Sequence, residues 1–176
     1  GDVLFLSGSI PASLPQDTYQ RMMGSLSAGI LAVVDVSGKG LVKALPRHPF
    51  LVKPNQHELG ELFGVTIADR ASVIPYARKM QEMGARNVLV SMAGQGAVLL
   101  AEDGSVFESP VPAGSLINGV GAGDSMVAGF MAGWLEKQDY GHAFYMGMAA
   151  GSATAFSEWL AEGEQIRELY RRMIGL

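Results

Sequence analysis

Four short apolar runs, separated by stretches of helical character, constrain this chain more than any other feature. Val3–Leu6, Ile30–Val36, Phe50-Leu51-Val52 and Val88–Val90 are too short for helices, and most end in polar or glycine-bearing breaks. Between them lie helical stretches from about Pro15 to Leu26, through Leu41–Leu45, after a cap at Asn55, and over Ala71–Met83, with Pro75 as an alternative start. Strands alternating with helices predict an α/β class: a doubly wound, mostly parallel sheet. Ala97–Ala101 and Val106–Glu108 predict an antiparallel hairpin across a two-residue Asp103-Gly104 turn. From Gly121 the chain reads as almost all helix: Asp124–Lys137, Tyr140–Phe156 and Gly163–Ile174.

Composition narrows the function classes. The chain has 176 residues, enough for one compact region and too few for two comfortable domains. A net charge of -4 supplies no basic field for nucleic acid or an anionic membrane, so neither is expected as a partner. Zero cysteines exclude disulfides and thiolate metal sites and fit a cytoplasmic location. No apolar run reaches the ~20 residues that span a bilayer. The first strand follows directly on Gly1 and Asp2, which fits either a strand at the very start or a chain cut from a longer one.

In doubly wound sheets, ligands bind beyond the carboxyl ends of the strands, so chemistry is sought in the breaks. The most informative break is Asn118-Gly119-Val120-Gly121-Ala122-Gly123-Asp124-Ser125, directly before an apolar helix. Small residues at a helix start leave N–H groups unpaired, and the helix dipole adds about half a positive charge there. That combination stabilises a phosphate or a developing oxyanion. Asp124 supplies a proton-accepting carboxylate at the same place. The plain alternative is that Asp124 is a helix cap and the glycines close a turn. A P-loop is absent, because Gly38-Lys39-Gly40 lacks the required frame, and a Rossmann fingerprint fails because Asp124 occupies the third glycine position.

Gly121-Ala122-Gly123-Asp124-Ser125 with Ala128-Gly129 resembles the second signature of the ribokinase-like, phosphofructokinase-B family of carbohydrate kinases. The resemblance implies Asp124 as catalytic base and the backbone of Gly121, Ala122 and Gly123 as anion hole. Lys53-Pro54-Asn55-Gln56-His57-Glu58 resembles the family's KPNxxE, which implies Asn55 and Glu58 around Mg²⁺ and Lys53 near the nucleotide phosphates. Oxygen donors three residues apart on one helical face suit Mg²⁺, which keeps several waters. Glu58 equally suits the second half of a capping box, and Lys53 a snorkelling surface side chain.

Ser91-Met92-Ala93-Gly94-Gln95-Gly96-Ala97 resembles the family's nucleotide loop, implying ATP contacts from Ser91, Gly94 and Gly96, with Ala93 where glycine is commoner. Gly151–Ser157 resembles a helix beside the adenine pocket, implying a nucleotide role for Gly151, although its small residues also suit close packing. Ser7–Pro11 and Asp35–Gly38 match the sugar-phosphate branch; Asp35 is read as a strand-ending turn. Gly119 departs from the family's usual Thr or Ser.

The resemblance implies ATP-dependent phosphorylation of a phosphorylated ketohexose. Fructose 1-phosphate is the expected acceptor, tagatose 6-phosphate the alternative, and a non-catalytic nucleotide-binding fragment the alternative of another class. Family members are nearly twice this length, and the full-length protein is expected to form a homodimer. Residues 1–176 are therefore expected to form one nucleotide-binding, catalytic region lacking the N-terminal acceptor-sugar half and lid. The histidines His48, His57 and His142 lack metal-ligand spacing. Trp134 and Trp159 read as packing residues, and methionines such as Met22, Met23, Met80 and Met83 as core fillers.

Overall fold

A computed structural model describes residues 2–175; Gly1 and Leu176, the two ends of the expected region, lie outside the described residues. The described residues form two compact units. The first comprises residues 2–92 with Val98–Val106, the second Ala93–Ala97 with residues 107–175.

Six strands run in sequence order across one sheet: β1 (Val3–Ser7), β2 (Leu31–Asp35), β3 (Leu51–Val52), β4 (Asn87–Ser91), β5 (Ala97–Leu100) and β6 (Val106–Ser109). The first four are parallel, with Leu6 opposite Val34, Val34 opposite Val52 and Val52 opposite Val88. β2, β3 and β4 are buried on both faces, through Val33 and Val34, Leu51 and Val52, and Val88 and Leu89, whereas β1 leaves Phe5 exposed. In the first unit, helices α1 (Thr18–Gly24), α2 (Gly38–Ala44), α3 (Gln56–Phe63) and α4 (Arg70–Glu82) supply the connections. Leu6, Val34, Val52, Val88 and Val90 share one core cluster with Leu41, Leu45, Leu59, Val73 and Met80.

Several expectations from sequence are corrected here. α4 begins at Arg70, not at Pro75, because Asp69 and Ser72 form a reciprocal capping box that fixes the start upstream. Pro75 lies inside the helix and is exposed, so the carbonyl it leaves unpaired is on the solvent side. α1 starts at Thr18; Pro15 instead accepts from the Thr18 N–H at 3.0 Å and hydroxyl at 2.6 Å in a preceding turn. α2 opens at Gly38 rather than Leu41 and passes into a 3-10 turn over Leu45–Arg47. The hairpin loop holds three residues, not two. The Gly104 N–H reaches the Ala101 carbonyl at 3.0 Å and the Ala101 N–H reaches the Ser105 carbonyl at 2.9 Å. Gly104, at φ 87°, takes the left-handed position that such a loop requires.

A buried polar residue stitches strands of the first unit. Asn87 Nδ2 donates to the Phe50 carbonyl at 2.8 Å, and its Oδ1 accepts from the Glu102 N–H at 2.9 Å. Beside it Arg86 holds Glu102 through Nε at 2.6 Å and Nη2 at 3.0 Å.

The second unit is built on α5 (Ala122–Lys137), α6 (Tyr140–Ala155) and α7 (Gly163–Met173). α5 and α6 approach closely through glycines. A Cβ on Gly129 would lie 2.5 Å from the Ala150 Cβ, and one on Gly147 would lie 2.8 Å from the Met126 carbonyl. His142 is satisfied by Tyr170 at 2.6 Å and Glu136 at 3.1 Å. Trp134 stacks on Tyr140 with ring centroids 4.5 Å apart, in line with a packing role. Trp159 does not pack: it lies in the connection between α6 and α7 and is 83% exposed. Met22 is likewise exposed, whereas Met23 and Met80 are buried.

Candidate active site

In the first unit, the parallel register brings the polar strand ends into line. Ser7 pairs with Asp35, and Asn55 bridges Ser91, so Asp35, Lys53, Asn55 and Ser91 lie at the carboxyl ends of β2, β3 and β4. Pro54 ends β3 and its carbonyl accepts from the Ser91 N–H at 3.2 Å, holding the segment straight into α3.

Lys53 is not a snorkelling surface lysine. Its side chain is 8% exposed and its Nζ lies 3.3 Å from the Asp35 Oδ1. Asp35, read from sequence as a strand-ending turn, is thus the carboxylate that holds a buried ammonium. A buried charge without such a partner is strongly disfavoured, which accounts for the pairing.

Asn55 caps α3. Its Oδ1 accepts from the His57 and Glu58 N–H groups, both at 2.9 Å, and the Glu58 Oε2 accepts from the Asn55 N–H at 2.8 Å. The capping reading of Glu58 therefore holds. It leaves Glu58 Oε1 and Asn55 Nδ2 without a bond among the described residues. One free carboxylate oxygen on a fixed side chain fits Mg²⁺, a cation that takes few protein ligands and keeps its waters. No cluster of three His, Cys, Asp or Glu side chains suited to a metal occurs among the described residues.

In the second unit, Gly121 is the residue preceding α5, at φ 78°, and no side chain caps that helix. Asp124 lies three residues further on, inside the first turn, so it is not the cap. Its carboxylate is exposed and makes no hydrogen bond or ion pair among the described residues. The first helical bond runs from the Ser125 N–H to the Gly121 carbonyl at 2.8 Å. The N–H groups of Gly123 and Asp124 find no backbone acceptor, as the opening turn of a helix dictates. The result is a proton acceptor beside unpaired donors at the positive end of a 16-residue helix.

Two sets of bonds fix this turn. Asn118 Nδ2 donates to the Glu158 carbonyl at 3.1 Å, while its Oδ1 accepts from the Val120 N–H at 3.0 Å. Thr154 Oγ1, fully buried, donates to Ser125 Oγ at 2.9 Å and accepts from the Ala161 N–H at 3.2 Å. Thr154 was legible only as one small residue in a small-residue helix. Gly151 is buried, and a Cβ there would lie 3.0 Å from the Ala122 carbonyl, so close packing accounts for this glycine.

The loop Ala93–Gly96 also belongs to the second unit. Gly96 is required by backbone approach: at φ 91°, a Cβ would fall on the Ser109 carbonyl. Gly94 is exposed with open space around it. Ala93 sits at φ 47°, the left-handed region, which explains why glycine is the easier residue there.

The pattern of the pfkB family of carbohydrate kinases matches residues 1–165. The chain is 48% identical over 170 residues to a 1-phosphofructokinase of Bacillus subtilis (strain 168), covering 96% of this chain and 56% of that protein. It is 33% identical over 168 residues to a D-tagatose-1-phosphate kinase of Bacillus licheniformis, covering 92% and 54%. The crystal structure of phosphofructokinase-2 from Escherichia coli in complex with substrates and products superposes with a TM-score of 0.89 at 30% identity, over 99% of this chain and 58% of that one. The doubly wound α/β fold expected from sequence is thereby borne out. The chain spans about half the length of the curated relatives it matches. Family pattern, relatives and fold agree, and the chain belongs to the pfkB family of carbohydrate kinases.

Proposed function

We propose that the protein carrying this chain transfers the γ-phosphoryl group of ATP to the free primary hydroxyl of a ketohexose 1-phosphate, converting fructose 1-phosphate to fructose 1,6-bisphosphate. The observation that carries this reading is the Asp124 carboxylate, exposed and unbonded among the described residues, in the opening turn of α5 beside unpaired N–H groups. The similarity to a 1-phosphofructokinase of Bacillus subtilis supports the acceptor.

In this mechanism the acceptor hydroxyl oxygen attacks the γ-phosphorus, the bond to the bridging oxygen of ADP breaks, and the hydroxyl proton passes to Asp124. The free N–H groups of Gly123 and Asp124 stabilise the charge on the transferring phosphoryl group, while the Ala122 N–H is held by the Gly119 carbonyl at 3.3 Å. Positioning and charge stabilisation supply most of the catalysis in such transfers. Lys53, Asn55, Ser91, Gly94 and Gly96 serve the nucleotide. Gly151 acts on it indirectly, through the packing of α6 on the Ala122 turn. Mg²⁺, when bound, neutralises phosphate charge, and Glu58 Oε1 with the Asn55 side chain is the group that would hold it through water.

The relative named D-tagatose-1-phosphate kinase gives a second acceptor. That acceptor is another ketohexose 1-phosphate, epimeric with fructose 1-phosphate at one carbon, and it stands beside the tagatose 6-phosphate alternative. The reading further assigns the reaction to the cytoplasm and to a homodimer of the intact protein; zero cysteines fit the first, and molar mass in solution tests the second. The decisive experiment measures ADP release with fructose 1-phosphate, tagatose 1-phosphate, fructose 6-phosphate and tagatose 6-phosphate. Preference for the two 1-phosphates is expected. No ADP release with any acceptor, despite MgATP binding, would establish the non-catalytic alternative.

A further inference from the structure

We infer that Asp35 is a positioning residue for the nucleotide, acting through Lys53; this rests on the reading of Lys53 as a phosphate contact. Three observations converge on the pair. The Lys53 ammonium is 8% exposed, so its orientation is set by protein and not by solvent. Asp35 Oδ1, at 3.3 Å, is the one acceptor that its side chain meets among the described residues. An ammonium carries three N–H donors, so one carboxylate contact leaves donors over for an anion.

The backbone makes the geometry a fixed one. Asp35 closes β2 in register with Ser7, and the Lys53 N–H donates to the Val34 carbonyl at 3.3 Å, which locks the two residues at adjacent strand ends. Pro54 follows immediately, and Asn55 starts the capping box of α3. Lys53 therefore stands on rigid backbone from both directions, and the remaining freedom is in its four-carbon stem. Asp35 removes that freedom. A carboxylate in this place has a second effect. It balances the ammonium when no nucleotide is bound, so that the site does not hold an uncompensated buried charge between turnovers.

The test is a double-mutant cycle on Asp35→Asn and Lys53→Met, reading the affinity for the magnesium complex of AMP-PNP by calorimetry alongside the KM for each substrate. Lys53→Met is expected to weaken the nucleotide about tenfold or more. Asp35→Asn is expected to weaken it comparably, and the double variant no further than Lys53→Met alone. The KM for the acceptor should stay within about twofold in all three, which a general loss of structure would not allow. Asp35→Glu should recover part of the affinity.

An unchanged affinity in Lys53→Met would overturn the phosphate reading and this inference with it. A weakened Lys53→Met beside an unchanged Asp35→Asn would overturn this inference alone. Additive losses would also overturn it, because Asp35 would then act independently of Lys53. Should Asp35→Asn fail to fold, the comparison of Lys53→Met with the double variant still decides. Equal affinities support the coupling, and a further tenfold loss in the double variant refutes it.

Discussion

Thr154 Oγ1 donates a 2.9 Å hydrogen bond to Ser125 Oγ, joining the C-terminal part of α6 to the residue after Asp124. The same oxygen accepts from the Ala161 N–H, so one buried hydroxyl serves both the opening turn of α5 and the connection into α7. Thr154→Val keeps the shape and removes both bonds. It should cost about 1–3 kcal/mol in chemical denaturation, since it leaves polar groups without partners in a buried place. Turnover should fall more than nucleotide affinity, because the displaced element carries Asp124. A stable variant with full turnover would show that the hydroxyl is dispensable.

Asp124→Asn preserves size and removes the proton acceptor. Turnover is expected to drop ~10²–10⁴-fold with nucleotide affinity little altered. Because Gly121 and not Asp124 is the residue at the head of α5, the melting temperature should move little. Turnover within a few-fold of the parent would remove Asp124 from the chemistry.

Asn55 and Glu58 make separate contributions to stability and to metal use. Asn55→Ala deletes the acceptor for two N–H groups and should cost ~1 kcal/mol of stability. Glu58→Gln keeps an acceptor for the Asn55 N–H, so its stability should change less. If Glu58 holds Mg²⁺ through water, its half-saturating Mg²⁺ concentration should rise. An Mg²⁺ profile that is unmoved in both variants would reduce the pair to a cap.

Gly129→Ala tests the close contact of α5 and α6. The added Cβ would come within 2.5 Å of the Ala150 Cβ and 2.7 Å of the Met146 carbonyl oxygen, both on α6. Neither neighbour is the end of a flexible chain, so the helices must separate. A destabilisation of about 1–3 kcal/mol is expected, read as a shifted denaturation midpoint.

Tyr170 contributes to alkaline stability in the second unit. Burial, then the nearby charges of Glu136 and Asp139, hold the Tyr170 phenol above its ordinary value of 10.0. The folded state therefore binds this proton more tightly than the unfolded chain does. That contribution is complete below pH 10 and is lost as pH rises through the folded-state value. Tyr170→Phe should flatten the fall in stability above pH 10. It should also cost stability at neutral pH, where it removes the hydroxyl bonded to His142.

The order of strands and helices, the cap at Asn55 and the glycine-rich turn at Asp124 were all written in local sequence. Each depends on residues within a few positions of one another: apolar spacing, an Asn three residues before a Glu, small residues ahead of a helix. Two misreadings were also local. The Asp69–Ser72 box outranks Pro75 as a helix start, and Gly104 in the left-handed region lengthens the hairpin loop. What the sequence by itself could not decide were partnerships across the chain. Asp35 and Lys53 are separated by a whole strand–helix–strand crossover, and only the parallel register makes them an ion pair. Thr154 and Ser125 lie on different helices whose closeness comes from Gly129 and Gly147. Whether Asp124 caps a helix or stands free in its first turn depends on where the backbone turns positive at Gly121. These are outcomes of packing and of the need to pair every buried polar group, which no run of neighbouring residues records.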